Sequence, residues 1–347
     1  MTLAKPLSAV IVGCGSIGAL KPDKYDKPYG ENILTHAHAY IVSPDVDLTG
    51  VIDVDEEKAA TAAKKWGVNL CSTELDTIQE MAPDIVSVCS PTSTHFRILK
   101  KLLEYTNWKP GLVIAEKPFC ESVVQAKAIR KLYKDANIPL VINYTRRYSL
   151  DYQFLQRMIT DGTLGEIYHA RLLYGRGLLR DGCHGLDLYN WFFGKLVGVL
   201  VNNIIYDYLP NDPTISLYLK YEKCVDAQLI AVDSRKCGLF EMDIVSEKGI
   251  YRLAEYGRWF YFYEATAEKT YGDYKSIPGT PKDARISDIT NALSRLIANA
   301  ANHLLLKEGL NCTVDDAVGV HEIMDAVNQV CVLTEKRRKE KEPWAVQ

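Results

Sequence analysis

Long apolar runs are missing from this chain of 347 residues. Nothing approaches 18 consecutive apolar residues, which argues against a membrane-spanning helix. A basic stripe is also missing: the net charge is −3 with both signs mixed along the chain, so nucleic acid is not an expected partner. With 47% hydrophobic residues and no repeat or low-complexity tract, the chain is long enough for a large core divided between two domains.

Paired metal or disulfide motifs are missing as well. The nine cysteines include no C-x-x-C pair, and several, such as Cys14 and Cys89, fall in apparent core strands or tight turns. This pattern predicts small buried hydrophobic residues in a reducing compartment. His36 and His38 are two residues apart, so on a helix they point in different directions, and we expect no metal site. The first six residues lead straight into an apolar run, which leaves no room for a signal peptide, so we expect a cytoplasmic protein.

A glycine-rich turn is the most informative feature that the chain does contain. Residues 13–18, GCGSIG, follow an apolar run at residues 9–12, which is the position of the phosphate loop in a Rossmann domain. Gly13 would allow a tight turn, Gly15 would let a pyrophosphate approach the backbone, and Gly18 would let the next helix pack closely on the sheet. The helix N-terminus would offer N–H groups to the phosphates. The predicted cofactor contacts here are Gly13, Gly15, Ser16, Ile17 and Gly18. The alternative is an ordinary strand-to-helix turn without a ligand.

An acidic residue ends the second predicted strand. Residues 48–52 predict that strand, and Asp53 follows it. Its carboxylate can accept hydrogen bonds from ribose hydroxyls and would repel a 2′-phosphate, so we predict NAD as the cofactor, with NADP less favoured. Asp53 lies 40 residues after Gly13, whereas about 20 is usual. We interpret residues 21–35 as a loop inserted early in the first helix, which is either a lid or substrate-contacting loop over the site or a mobile surface insert. One of its three lysines could still accept a 2′-phosphate.

Strand and helix patterns alternate in the first part of the chain. Apolar runs at residues 84–89, 111–115 and 139–143 predict strands with helical patterns between them. This alternation predicts an α/β domain over residues 1–147, a doubly wound parallel sheet with helices on both faces. Extended, tyrosine-rich segments dominate afterwards and predict an α+β domain over residues 148–347. Its large, mainly antiparallel open sheet can keep one face for a partner.

Polar residues follow three of the predicted strands. They are Ser90, Pro91 and Thr92 with His95; Glu116, Lys117 and Pro118; and residues 143–148, which include Tyr144 and Arg147. Ligands bind at the carboxyl ends of strands in such sheets. The backbone of Lys117 is held by the following proline, so its ammonium could polarise a hydroxyl or carbonyl. The alternative is a charged surface turn.

A fourth polar group lies in the second half of the chain, at residues 180–187, RDGCHGLD. If a helix begins near Gly182, His184 and Asp187 stand three residues apart on one face. An imidazole titrates near the working pH and can take the proton from an alcohol that is being oxidised. Asp187 could orient that imidazole or contact the substrate. The alternative is the first turn of a helix with an aspartate cap and a structural histidine.

Four motifs together resemble the Gfo/Idh/MocA family of NAD(P)-dependent oxidoreductases over nearly the whole chain: residues 13–18, residues 89–92 with His95, residues 116–118, and residues 182–187. The resemblance implies that Lys117 lies beside the nicotinamide and the substrate, and that His184 is the acid/base. It also implies a serine–proline–threonine turn that lines the cofactor pocket, and a homodimer or homotetramer built through the second sheet. The further predicted cofactor contacts are Ser90, Pro91, Thr92, His95, Glu116 and Lys117. The predicted substrate contacts are Lys117, Tyr144, Arg147, Arg176, Arg180, Asp181, His184 and Asp187.

One position departs from the family pattern. Many family dehydrogenases have an aspartate four residues before the histidine, where this chain has Arg180, and Asp181 lies one residue later. With Arg176 nearby, we expect a site that accepts an anion such as a phosphate or carboxylate. Either arginine could instead pair with Asp181 or Glu166.

The predicted function is hydride transfer between NAD(H) and a hydroxyl or carbonyl of a sugar or sugar derivative, which could be anionic or nucleotide-linked. Two alternatives stay open. One is a non-catalytic NAD-binding regulator, against which the presence of both Lys117 and His184 argues. The other is an NAD-assisted glycosidase or dehydratase, in which oxidation is transient and NADH does not accumulate.

Overall fold

The computed structural model describes residues 5–268, 270 and 272–341, with side chains described as far as residue 331. Contacts divide the chain into two compact units. The first comprises the chain up to Leu150 together with Asp288–Val318, and the second comprises Asp151–Ser287 together with the chain from Gly319 onward. The predicted division has a single boundary after residue 147, whereas the chain re-enters the first unit at Asp288.

The first unit contains a parallel sheet with helices between its strands. In chain order the elements are β1 (Leu7–Val12), α1 (His36–Ile41), β2 (Val46–Ile52), α2 (Glu56–Trp66), β3 (Leu70–Ser72), α3 (Ile78–Met81), β4 (Ile85–Val88), α4 (Thr92–Glu104), β5 (Leu112–Ala115), α5 (Val123–Asp135) and β6 (Leu140–Ile142). Among the described residues the strand order is β3-β2-β1-β4-β5-β6, with every neighbouring pair parallel. The central strands β4 and β5 are buried throughout, as expected where helices cover both faces. The predicted doubly wound sheet is confirmed.

The inserted loop between β1 and α1 does not interrupt the helical hydrogen bonds. The amide of His36 donates to the carbonyl of Ile17 at 3.0 Å, and the amide of Ala37 donates to Gly18 at 2.9 Å. The turn at residues 16–19 is therefore hydrogen-bonded directly to the start of α1, although the two segments are far apart in the sequence. This explains why Asp53 lies twice as far from Gly13 as the usual spacing predicts.

The same loop is fastened at its base by a buried aspartate. The carboxylate of Asp26 accepts from Thr35 Oγ1 at 2.6 Å and contacts His38 Nδ1 at 2.7 Å, and the Asp26 and His38 side chains are fully buried. Lys65 Nζ donates to the carbonyls of Lys21 and Asp26, each at 2.8 Å. These contacts favour an ordered insert over a mobile one.

The second unit is built on a larger sheet. Its elements are α6 (Leu150–Thr160), β7 (Ile167–Tyr174), α7 (Cys183–Phe193), β8 (Leu196–Leu209), β9 (Asp212–Tyr221), β10 (Ala227–Ala231), β11 (Phe240–Ser246), β12 (Gly249–Ala254), β13 (Trp259–Glu264), β14 (Thr266–Ala267), β15 (Lys275–Ser276) and β16 (Asp283–Ile286). Two helices follow: α8 (Ala292–Leu306) belongs to the first unit, and α9 (Val314–Lys341) begins in the first unit and continues in the second. Within the described part of the chain, the eight-stranded order is β16-β13-β12-β11-β7-β10-β9-β8. Only β7 and β10 pair in parallel there, so the predicted mainly antiparallel sheet is confirmed.

The helix α7 packs on this sheet through apolar residues. A β-carbon on Gly185 would touch Leu172 and Leu229, so the helix lies close to β7 and β10. Tyr189 donates its hydroxyl to the carbonyl of Gln228 at 2.9 Å. By contrast, β8 and β9 expose large apolar side chains, namely Val197, Leu200, Tyr206, Tyr208, Leu209 and Tyr218. Across the residues that the structure describes, no helix is both long and apolar enough to span a bilayer.

Candidate cofactor and catalytic site

The glycine turn after β1 packs tightly against the turn after β4. Gly13 has a φ of +100°, which glycine adopts readily, and a β-carbon there would also collide with the amide nitrogen of Ser90. A β-carbon on Gly18 would collide with the carbonyl oxygen of Gly13. Both positions therefore require glycine, and the two turns meet at the carboxyl edge of the first sheet.

Gly15 differs from the other two glycines of the turn. A β-carbon at this position would meet nothing within 4 Å. Packing within the protein therefore does not explain this glycine, but the approach of a pyrophosphate to the backbone does. The open space beside Gly15 is compatible with the predicted pyrophosphate contact, which stays a prediction.

The carboxylate of Asp53 is fixed at the end of β2 beside this turn. Its Oδ2 accepts from the amide of Cys14 at 2.7 Å, and its Oδ1 accepts from the amide of Asp55 at 3.0 Å. The phosphate turn and the predicted ribose ligand are thus joined directly. Burial, with a further contribution from the charge of Asp53, raises the pKa of the Cys14 thiol to about 12. Cys14 therefore stays a neutral thiol, as expected for a small core residue.

The turn that follows β4 is held by the first turn of α4. Thr94 Oγ1 lies 2.7 Å from Ser90 Oγ, and His95 Nε2 donates to the carbonyl of Ser90 at 2.7 Å. Burial lowers the pKa of His95 despite that hydrogen bond, so the imidazole is neutral at physiological pH. His95 thus shapes the Ser90-Pro91-Thr92 turn from inside the protein.

Glu116 and Lys117 follow β5 at the same edge of the sheet. Glu116 is 7% exposed, and its Oε1 contacts His36 Nε2 at 2.9 Å and accepts from Asn143 Nδ2 at 2.5 Å. Its Oε2 accepts from the amide of Lys117 at 3.3 Å. Burial alone would raise the pKa of Glu116, but the hydrogen bonds from His36 and Asn143 and the charge of Lys117 outweigh it and hold this pKa below its usual value. Glu116 is therefore a buried carboxylate.

Sequence reasoning missed the residues behind Glu116. His36 Nδ1 lies 3.1 Å from Ser87 Oγ, and the hydroxyl of Tyr40 lies 2.7 Å from the same oxygen. All three side chains are fully buried. Two patterns could have indicated them: Ser87 is the one polar residue in the apolar run of β4, and His36 and Tyr40 lie four residues apart on α1.

The two predicted substrate contacts after β6 are buried. Tyr144 is 1% exposed and Arg147 is 3% exposed. Arg147 Nη1 lies 3.0 Å from Asp316 Oδ1 and 3.4 Å from the carbonyl of Asn311. Arg147 thus ties the turn after β6 to residues that return to the first unit late in the chain, and its predicted role as a substrate contact stays a prediction.

The second unit carries His184 on the first turn of α7. The helix begins at Cys183, close to the start expected from the sequence, and a π-helical turn at Leu178–Gly182 precedes it. Such π turns are frequent at functional sites. The His184 ring meets Phe240 edge-on at 6.3 Å, and Asp187 is 1% exposed one turn further along.

The π-helical turn is capped by one aspartate. Asp212 accepts from the amides of Leu179 and Arg180 at 2.8 and 3.0 Å. Burial raises the pKa of Asp212, and these two hydrogen bonds oppose that shift only in part. The cap fixes the backbone from which Arg180 and Asp181 extend, just before His184.

Two arginines of this segment share one aromatic ring. The guanidinium carbons of Arg176 and Arg180 lie 5.5 and 4.9 Å from the centre of the Tyr208 ring. The Nε atom of each arginine also lies 3.9 Å from a carboxylate oxygen of Asp181, longer than a hydrogen bond. Arg176 has a φ of +65°, which is rare for a residue with a side chain, and its amide donates to Asp207 at 3.0 Å. The structure thus brings Arg176, Arg180 and Asp181 together.

Metal ligands are not grouped in the part of the chain that the structure describes. No set of three or more histidine, cysteine, aspartate or glutamate side chains there is placed to hold an ion. His36 and His38 face different partners, Glu116 and Asp26, as their spacing predicts.

Comparison with known proteins agrees with this geometry. Residues 7–144 match the model of a family described as an oxidoreductase family with an NAD-binding Rossmann fold. D-glucoside 3-dehydrogenase of Escherichia coli is 29% identical over 54% of this chain and 47% of its own length. Inositol 2-dehydrogenase of Rhizobium meliloti is 26% identical over 38% of each chain. The chain thus matches less than half the length of these two relatives.

Solved structures share the whole fold. The WlbA dehydrogenase from Bordetella pertussis, in complex with NADH and UDP-GlcNAcA, has a TM-score of 0.74 at 15% identity and covers 94% of this chain and 96% of its own. The glycine turn, the strand order and the family match together indicate a Rossmann domain of the NAD-binding type. Over residues 7–144, this family match confirms the resemblance to the Gfo/Idh/MocA family that was drawn from the sequence.

Proposed function

We propose that this protein is an NAD-dependent dehydrogenase that transfers a hydride to or from a hydroxyl or carbonyl carbon of a sugar or sugar derivative. The observation that carries the proposal is the meeting of three strand-end groups in the first unit. Gly13 abuts Ser90, and the Cys14 amide donates to Asp53, so the residues that we propose as the phosphate turn, the pocket-lining turn and the ribose ligand lie together. Lys117 follows the next strand at that edge of the sheet.

The residues of these turns fit NAD. The Gly13–Gly18 turn would hold the pyrophosphate, and Asp53 would accept hydrogen bonds from the adenosine ribose. The fixed carboxylate of Asp53 would repel a 2′-phosphate, so we propose NAD over NADP. When bound, NAD takes up or gives back the hydride.

Two side chains supply the rest of the chemistry. In the oxidation direction, the imidazole of His184 takes the proton of the substrate hydroxyl as the carbon loses its hydride. The ammonium of Lys117 stabilises the negative charge that develops on the substrate oxygen. In the reduction direction, protonated His184 returns the proton to the same oxygen. Proton, hydride and charge therefore balance in both directions.

A sugar substrate is supported by the relatives, among which are a D-glucoside 3-dehydrogenase and an inositol 2-dehydrogenase. We also propose that Arg176 and Arg180 select a substrate with an anionic group, such as a phosphate, a carboxylate or a nucleotide. Guanidinium groups recognise such anions through paired hydrogen bonds. Since Asp181, Asp207 and Asp212 lie in the same region, the test must compare anionic with neutral sugars directly.

We propose a cytoplasmic homodimer or homotetramer that associates through the sheet of the second unit. The support is the set of exposed apolar side chains on β8 and β9, such as Leu200 at 69% and Val197 at 62%. Exposed apolar patches of this kind commonly mark protein–protein contacts.

Titration with NADH and NADPH, followed by nicotinamide fluorescence, tests the proposal first. Purified protein with NAD is then mixed with neutral sugars, sugar phosphates, uronic acids and nucleotide sugars, while absorbance reports NADH. Accumulation of NADH with a sugar supports a dehydrogenase. A product that requires NAD but leaves no NADH would indicate transient oxidation, and cofactor binding without any product would favour a regulator. Binding of neither cofactor would overturn the assignment of the glycine turn.

A further inference from the structure

The hydrogen bonds behind Glu116 fit an arrangement of protons in which the donors follow one another toward the carboxylate. Glu116 is ionised, so its 2.9 Å contact with His36 requires a proton on Nε2 of the imidazole. In this arrangement His36 accepts at Nδ1 from the hydroxyl of Ser87, 3.1 Å away. Ser87 in turn accepts from the hydroxyl of Tyr40 at 2.7 Å, and burial raises the pKa of that phenol, which keeps its proton. Every donor in this buried series of hydrogen bonds points toward the Glu116 carboxylate.

A second donor fixes the same carboxylate oxygen from the other side. Asn143 Nδ2 donates to Glu116 Oε1, and Thr145 Oγ1 donates to Asn143 Oδ1 at 2.9 Å, which sets the orientation of the amide. With Oε1 held by two donors, Oε2 is turned to the backbone amide of Lys117. The direction of the Glu116 carboxylate relative to Lys117 is therefore set from within the core.

We infer that His36 is a positioning residue, which orients Glu116 as a carboxylate and thereby holds Lys117 in place for hydride transfer; this inference rests on the proposed function. His36 is fully buried in the core of the first unit and acts through Glu116. Without its imidazole, the buried Glu116 loses one of two inner donors and is free to rotate or to take up a proton. Lys117 would then shift, and small displacements of a reacting group slow catalysis strongly.

The neighbouring His38 provides a matched control. It lies on the same short helix, is equally buried, and pairs with Asp26 instead of Glu116. Truncation of either histidine removes a buried imidazole and leaves a buried carboxylate short of one partner. The two variants should therefore lose similar stability, while only one of them disturbs Glu116.

Steady-state kinetics of three variants test the inference. We expect His36→Ala to lower kcat about 10²-fold, with NADH affinity close to that of the wild type. His36→Gln, whose amide can donate to Glu116 and accept from Ser87, should recover most of that loss. His38→Ala should keep kcat within about twofold, because it leaves Lys117 undisturbed. Equal kcat values for His36→Ala and His38→Ala would overturn the inference, and so would a His36→Gln variant that folds but is as slow as His36→Ala.

Nitrogen NMR of histidine-labelled protein supplies a readout without turnover. We expect His36 to carry its proton on Nε2, and its signal to move in Glu116→Gln but not in Asp26→Asn. A proton on Nδ1 alone would contradict the proposed chain, whatever the kinetics. If none of the tested sugars allows the wild type to reduce NAD, the proposed function is overturned, and with it the positioning role of His36 in catalysis. If the wild type is active and His36→Ala has the same kcat, only this inference is overturned and the proposed function stands.

Discussion

The amide nitrogen of Ser90 occupies the space that a β-carbon on Gly13 would need. Gly13 begins the tight turn after β1, and Ser90 begins the turn after β4, so two segments 77 residues apart in sequence fit together only if one has no side chain. Gly15, two residues later, has no such neighbour. The two glycines therefore serve different purposes, and their substitution should have different consequences.

We predict that Gly15→Ala folds normally but binds NADH at least tenfold more weakly. The new methyl group meets no protein atom within 4 Å, so it obstructs only a ligand that approaches the backbone. Gly13→Ala should instead lower the melting temperature, because it combines a strained φ with a collision. Thermal melts and fluorescence titration of both variants check the difference. A Gly15→Ala protein with normal NADH affinity would exclude this turn as the pyrophosphate site.

Substitution of Asp53 should change the choice of cofactor. Asp53→Ala removes the predicted ribose ligand and the charge that repels a 2′-phosphate, so NADH affinity should fall and NADPH affinity should rise. Part of any loss would come from the amide of Cys14, which donates to this carboxylate at 2.7 Å. Asp53→Asn serves as the control, because its side-chain oxygen can still accept from that amide while the charge is gone. An unchanged ratio of NADH to NADPH affinity in both variants would refute the role of Asp53.

The proposed chemistry predicts that Lys117→Ala and His184→Ala lose turnover while they keep cofactor binding. Removal of an acid/base typically costs about 10²–10⁴-fold in rate, and removal of a group that stabilises developing charge about 10²–10³-fold. Both side chains are partly exposed, so truncation should change stability little. Rates of NADH formation measure turnover in the two variants, and NADH titrations measure whether cofactor binding is kept. Normal turnover in both would show that other residues carry the reaction.

The first unit could be predicted well because the sequence patterns that indicate its strands and turns are short and continuous. Buried parallel strands such as β4 and β5 are short apolar runs, and a motif such as residues 13–18 has a fixed position after a strand. The second sheet was harder. Strand β12 contains Arg252, whose charge is paired with Asp243 on β11, and β16 exposes most of its residues, so neither shows a clear apolar pattern.

Contacts between distant residues could not be predicted from one sequence. His36 and Glu116 lie 80 residues apart, and nothing in their spacing indicates that they pair. The same holds for Arg147, which meets Asp316 169 residues later. Sequence patterns identified the residues that could perform chemistry at strand ends, whereas the buried groups that orient them depend on packing in three dimensions.

The proposed association through the second sheet makes a further prediction. Leu200→Asp on β8 should shift the protein toward monomers, because it places a charge in an apolar contact where no partner is provided. Light scattering coupled to size-exclusion chromatography measures the change. Val124→Asp, at another exposed apolar position on α5 of the first unit, is the control and should leave the mass unchanged. The same mass for the wild type and Leu200→Asp would place the contact elsewhere or exclude it.

The histidine on α9 should make stability depend on pH. Burial lowers the pKa of His321 from 6.5 to about 4, so the folded protein resists a proton that the unfolded chain accepts. The resulting loss of unfolding free energy is absent above about pH 6.5. It grows as the pH falls toward 4, because the unfolded state binds more protons than the folded state in that range. Between pH 7 and 5 the wild type should therefore lose about 2 kcal/mol of unfolding free energy that His321→Gln does not lose. Urea denaturation at both pH values measures this difference, with His303→Gln as a less buried histidine control on α8. Since His95 remains in every variant, its own contribution cancels in the comparison, and equal pH dependence in the wild type and His321→Gln would contradict a neutral buried imidazole at position 321.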